Sequence, residues 1–145
     1  MDFGSLFTST QARINRAKWW VGMIVLAIAN FVLTWVLILM LGPAAAIALL
    51  VLQLILFYPA YAVGAKRFQD RGRPGTLALI LPGVSLLSQL VTTLGLSGDP
   101  MAPGALAYVF MIAVFAVAIW YLIDLGILKG TTGPNQYGPD PLGAR

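Results

Sequence analysis

From Trp19 to Leu41 the chain runs 23 residues without a charge, and three more apolar runs follow at Ala44–Ala65, Thr76–Leu96 and Ala105–Leu128. As a helix at 1.5 Å per residue the first run reaches about 34 Å, more than the ~30 Å hydrocarbon core of a bilayer. Such runs leave few folds open. In lipid every backbone amide must be bonded internally, so each run reads as a spanning α-helix. Gly42-Pro43 separates the first two. One continuous helix through both would reach about 70 Å, over twice the hydrocarbon core, so the chain must turn back there in a tight hairpin. The expected fold is an all-α membrane protein, four transmembrane helices in an up-down bundle. Its spans are about 19–41, 44–65, 76–96 and 105–128, after an N-terminal segment 1–18 and before a Gly/Pro-rich tail 129–145. Pro59 and Pro82-Gly83 are expected to kink the second and third spans.

Composition supports a lipid solvent. Apolar residues make up 59 % and charged residues 10 %, against about 45–50 % and about 25 % in soluble domains. Mean hydropathy is +0.87. A signal peptide is the rival reading of the first run, with Ala44-Ala45-Ala46 as a cleavage site. Signal cores span about 7–15 residues, however, so a retained span is preferred.

The nine basic residues do not form the stripe that a nucleic-acid binder shows. Arg13, Arg16 and Lys18 precede the first span; Lys66, Arg67, Arg71 and Arg73 separate the second from the third; Lys129 and Arg145 follow the fourth. The connections at Gly42-Pro43 and around Asp99 have none. The positive-inside rule then places both termini in the cytoplasm and makes this a multi-pass membrane protein. The expected partners are the bilayer and, at the basic face, anionic headgroups or a partner protein; self-association stays open, and nucleic acid is excluded. Cys, His and Glu are absent. That removes disulfides, Cys/His metal sites and histidine acid–base chemistry, so no cofactor is expected and the chain is read as non-enzymatic.

Residues 1–18 carry a helical stripe of Phe3, Leu6, Phe7, Thr10, Ile14 and Ala17, and Thr8 with Gln11 fits a capping box that would start a helix at Thr8. This segment is either an interfacial helix or a lead-in to the first span. Between the second and third spans, helix should persist to about Asp70. Gly72 suits a left-handed cap, Pro74-Gly75 a turn, and Thr76 a cap for the next helix.

Three stretches together resemble one family. Ala12-Arg13-Ile14-Asn15-Arg16-Ala17-Lys18-Trp19-Trp20 resembles "GRxxRxxyW", Arg67–Gly75 resembles "RLHDxGRSGWW", and Gly130–Pro141 resembles "GTxGxNxyGpdP". The chain is thereby similar to the YhaH-like bacterial inner-membrane proteins, domain of unknown function 805. The resemblance implies an inner-membrane location and four spans, and no activity. Departures are Ala12 for Gly, Gln69 for His, Pro74 for Ser, and Thr76-Leu77 for aromatics.

The candidate cytoplasmic motif is Arg13, Arg16, Arg67, Asp70, Arg71, Gly72, Arg73, Gly75, Asn135 and Gly138. Asp70, the one acid among these bases, can pair with Arg67, or with Arg13 or Arg16. Two readings compete: an ordinary surface charge pair, or a clamp joining N-terminal segment, loop and tail in one cap. Arg67, Arg71 and Arg73 also form a possible phosphate cluster. Within the spans, Asn30, Gln53 and Ser85 suit either interhelical hydrogen bonds or a polar path. Asp124, near the basic end, is either a structural salt bridge or the carboxylate of a small oligomeric transporter.

Overall fold

The computed structural model describes residues 3–99 and 101–143. Arg145 therefore lies outside the described residues, as do Met1 and Asp2 of the N-terminal segment and Pro100 of the last connection. A short helix α1 (Phe3–Thr8) precedes α2 (Arg16–Leu41). A 3-10 turn, Gly42–Ala44, leads into α3 (Ala45–Asp70). A second 3-10 turn (Gly75–Leu79) continues as α4 (Ile80–Thr93). After a two-residue antiparallel ladder of β1 (Gly98–Asp99) and β2 (Ala102–Pro103), α5 (Ala105–Tyr121) widens into a π-helical turn, Leu122–Ile127.

Three helical stretches are long and apolar enough to cross a membrane: Arg16–Asp70, Gly75–Thr93 and Ala105–Ile127. The first is folded back on itself at Gly42, whose φ of 52° favours glycine. A Cβ on Gly22, near the start of α2, would sit 2.9 Å from Val63, near the end of α3. The two helices are thus antiparallel. Gly64 in turn brings α3 close to Ala78, where an added Cβ would meet that residue's Cβ at 2.9 Å. α3 packs between α2 and α4, and α5 packs on α4.

The buried apolar cluster lies at the basic end rather than at mid-span. It joins Leu6, Ile14, Trp19, Phe68, Tyr121 and Leu125 with small residues around them. Phe68 meets Tyr121 edge-on with ring centroids 5.4 Å apart. Away from this end large apolar side chains point outward, as in Phe31 at 64 % and Leu39 at 79 % exposure. That is the pattern expected where lipid is as apolar as the interior.

Several local expectations are corrected. The N-terminal helix ends at Thr8 instead of starting there, and the Thr8 hydroxyl donates back to Gly4 O at 3.0 Å. The side chain that opens α2 is Asn15, whose Oδ1 accepts from Lys18 N at 2.9 Å. Thr76 caps nothing, because Pro74 occupies the cap of the 3-10 turn. Kinks rather than breaks are expected at Pro59 and Pro82, and helix is continuous through both. Pro82 falls in the first turn of α4, where a missing N–H costs no intrahelical bond. The end of α3 is as expected. Helix persists to Asp70, Gly72 takes φ 70°, and Arg73 N and Gly72 N donate to Phe68 O and Gln69 O in a Schellman pair.

Candidate functional site

Asp70 is 3 % exposed and sits between two arginines. Arg13 Nε donates to Oδ1 at 3.1 Å, and Arg67 Nη1 pairs with Oδ2. Arg16 does not reach this carboxylate; it donates to Ile127 O at 2.9 Å. Arg13 is 5 % exposed and uses its whole fork. Besides Asp70, Nη1 donates to Gly133 O (2.7 Å) and Gly138 O (3.1 Å), and Nη2 to Thr131 O (2.6 Å) and Oγ1 (3.0 Å). Five N–H groups thus meet five acceptors, the condition under which a buried guanidinium is tolerated. The clamp reading describes this geometry: one ion cluster ties the N-terminal segment, the end of α3 and the tail.

The second carboxylate, Asp124, lies in the π turn and is 3 % exposed. It accepts from Arg71 Nε at 3.1 Å and from Arg73 Nη1 at 2.5 Å. The carbonyls that follow have a shared fate. Leu125 O accepts from Arg67 Nε, Gly126 O from Trp20 Nε1, Ile127 O from Arg16, Leu128 O from Arg67 Nη2 and Lys129 O from Arg71 Nη1. A helix C-terminus leaves its last carbonyls without intrahelical donors and carries partial negative charge. Cationic and indole side chains from other elements supply both needs. Gly126 permits this contact, since a Cβ there would stand 2.9 Å from the Trp19 ring.

The tail is held by local turns and by α3. Thr131 N and Oγ1 both donate to Asp70 O, at 2.8 and 2.9 Å. Asn135 Nδ2 donates to Gln69 O and to Thr131 Oγ1. Its own backbone exchanges hydrogen bonds with Gly138 at φ 131°. Gly133 N donates to Asp140 Oδ2 at 2.9 Å. A Cβ on Gly130 would strike the Asp70 carboxylate, so the close passage of the tail requires glycine. Gly75 also passes close to Gln69, where an added Cβ would stand 3.0 Å from Nε2, and the Gln69 Oε1 is buried without a partner. Lys66, fully buried, donates to Ser5 O (2.6 Å) and Leu6 O (2.7 Å) at the end of α1.

Two cavities adjoin these groups. A cleft of about 670 Å³ at the cap is lined by Arg16, Arg67, Asp70, Lys129, Asp140 and backbone of residues 130–133. Arg16 and Lys129 are exposed there. A smaller cavity of about 220 Å³ lies within the spans and gathers Asn30, Gln53 and Ser85 at one place. Asp124 is not among its lining residues. Among the described residues no three His, Cys, Asp or Glu side chains could together hold a metal ion.

Sequence reasoning passed over Asn15, Thr131 and Tyr121. The Tyr121 hydroxyl donates to Leu77 O at 2.7 Å and accepts from Leu81 N at 3.3 Å, bridging the junction where the 3-10 turn becomes α4. A polar-tipped aromatic near the end of an apolar run was the available signal.

Apolar helices of spanning length, closed at one end by an ion-paired cap, define this as an all-α protein of membrane type. The chain belongs to the family described as protein of unknown function (DUF805), whose model matches residues 7–139. It is 34 % identical over 87 residues to the uncharacterized protein YiiR of Escherichia coli strain K12, and equally to that of strain O157:H7. The match covers 59 % of this chain and 54 % of each relative, so the chain spans about half the length of the curated relatives it matches. No solved structure matches.

Proposed function

We propose that this is a non-enzymatic, four-span inner-membrane protein with both termini cytoplasmic, whose cap binds the phosphate of anionic lipid headgroups. One observation carries the reading: the cap holds more cations than it can neutralise. Arg13, Arg16, Lys66, Arg67, Arg71, Arg73 and Lys129 outnumber the three carboxylates described there, Asp70, Asp124 and Asp140. Their excess positive charge lies beside the cleft, where Arg16 and Lys129 keep exposed head groups. Most loop arginine donors are spent on protein acceptors, so the residues for phosphate are Arg16 and Lys129 rather than Arg67 or Arg71. Trp19 and Trp20, one turn away, sit at the depth that indoles favour, which brings the cleft level with headgroups.

The spans are α2, α3, the Gly75–Thr93 stretch and the Ala105–Ile127 stretch. All described basic residues then share one side, the cytoplasmic side by the positive-inside rule. A transporter would want Asp124 in line with Asn30, Gln53 and Ser85; its pairing with Arg71 and Arg73 at the cap argues against that.

Native mass spectrometry of detergent-purified protein tests the lipid claim. Phosphatidylglycerol should be retained over phosphatidylcholine, and the Arg16→Ala/Lys129→Ala double variant should lose that preference. Equal retention of the two lipids by the wild-type protein would sink it. A C-terminal fluorescent fusion should glow and a C-terminal alkaline phosphatase fusion should be silent; the reverse overturns the orientation.

A further inference from the structure

The 220 Å³ cavity has properties that the cap does not explain. It is walled by α2, α3 and α4 with Tyr121 of α5, and it is partly open to the outside. Asn30 is 14 residues from the start of α2 and Gln53 17 residues from the end of α3, about 21 and 25 Å from the cap along the helices. Those depths fall well inside the hydrocarbon core. Among the described residues, the side chains of Asn30, Gln53 and Ser85 have no hydrogen-bond partner, although all three are half-buried. Interhelical hydrogen bonding is the usual reason for amides at this depth, and here it is not made.

Unpaired amides in a hydrocarbon medium are costly, which makes an external partner the natural remedy. Three features define that partner. No ionisable side chain lines the cavity except the Tyr121 phenol, so the ligand is neutral. A cavity of about 150 Å³ holds benzene, so 220 Å³ suits one substituted ring. The three polar groups come from three helices, α2, α3 and α4, and so approach from separate directions. A ring with oxygens on opposite edges matches them better than a single alcohol. Phe57 and Tyr121 provide flat aromatic wall, and the open side lets an apolar tail stay in lipid. A second copy of the chain fits less well, because the amides lie in a concavity rather than on a ridge.

We propose that this cavity binds the head ring of a membrane-dissolved quinone, with Asn30, Gln53 and Ser85 hydrogen-bonding its oxygens. Binding alone is meant, with no electron transfer.

The test uses full-length protein in nanodiscs and ubiquinone-1 as probe, read by quenching of tryptophan fluorescence. Micromolar binding is expected. Asn30→Leu or Gln53→Leu should each weaken it about five-fold or more, Ser85→Ala about as much, and Gln89→Leu, an in-span amide outside the cavity, less than two-fold. Asn30→Leu should also raise the thermal midpoint of the ligand-free protein, which loss of a structural hydrogen bond would lower. The proposal is overturned if ubiquinone-1 and toluene bind alike, if neither leucine variant weakens binding, or if the leucine variants instead abolish a dimer. Because Arg16 and Lys129 lie outside the cavity, failure here leaves the lipid-headgroup reading untouched.

Discussion

The two ends of this molecule solve opposite problems. At the cap, charged groups are buried and nearly every donor finds an acceptor: Arg13, Lys66 and Arg67 are each 5 % exposed or less and together make ten hydrogen bonds. At mid-span, the amides of Asn30 and Gln53 are half-buried and bond nothing, while large apolar side chains face outward. Where no hydrophobic force drives helices together in lipid, polar contact supplies the specificity of packing. This chain concentrates that contact at one end and leaves the other loose enough to hold a cavity.

The contrast can be broken most sharply at Asp70. Asp70→Asn leaves Arg13 and Arg67 buried without their counter-charge, and breaking such a pair costs about 3–5 kcal/mol. A steep fall in the thermal midpoint of the detergent-purified protein should follow, together with protease sensitivity of the tail. If the variant melts like the wild-type protein, the cap does not hold the fold together. Next in size is Gly130→Ala, which places a methyl against that carboxylate. Overpacking of this kind costs about 1–3 kcal/mol, and chemical denaturation in mild detergent reads it.

A smaller effect, of opposite sign, is expected at Ala12. It holds φ 76°, the one non-glycine residue in the left-handed region among the described residues. Relieving that conformation with Ala12→Gly should stabilise by about 1 kcal/mol, since L-residues lose about 1–2 kcal/mol there. The family resemblance has glycine at this position, and the backbone supplies the physical reason. Smallest of all is Leu39→Ala on the lipid-facing side of α2, where 79 % exposure predicts a change within about 0.5 kcal/mol. A larger loss would mean that the mid-span region is packed more tightly than its exposure indicates.

These residues also explain which parts of the fold were legible in the sequence. The end of α3 was, because a Schellman cap depends on a few consecutive residues and Gly72 declares it. The grouping of basic residues at one end was, because it is a property of chain order. The N-terminal segment was misread: Thr8 and Gln11 fit a capping pattern that would start a short helix at Thr8, yet α1 ends there and the cap is formed by Asn15 at the start of α2. The ion pairs were half legible. Asp70 stood out as the lone acid among bases, but its choice of Arg13 over Arg16 rests on where the tail carbonyls lie. The run of capped carbonyls from 125 to 129 had no sequence signature, because any backbone offers carbonyls and only the fold brings arginines to them. Asp124 looked intramembrane on counting residues; the π turn and two arginines make it part of the cap.

Arg13 has one more consequence, which concerns time. Four of its five acceptors belong to residues 131–138, at least 118 positions later in the chain. During synthesis this arginine must wait, hydrated or held by lipid phosphate, until residues 131–138 have emerged. The cap therefore closes only after α5 has been made. A chain stopped before Thr131 would insert its helices yet present an unclosed cationic face, a difference that a quality-control protease could read.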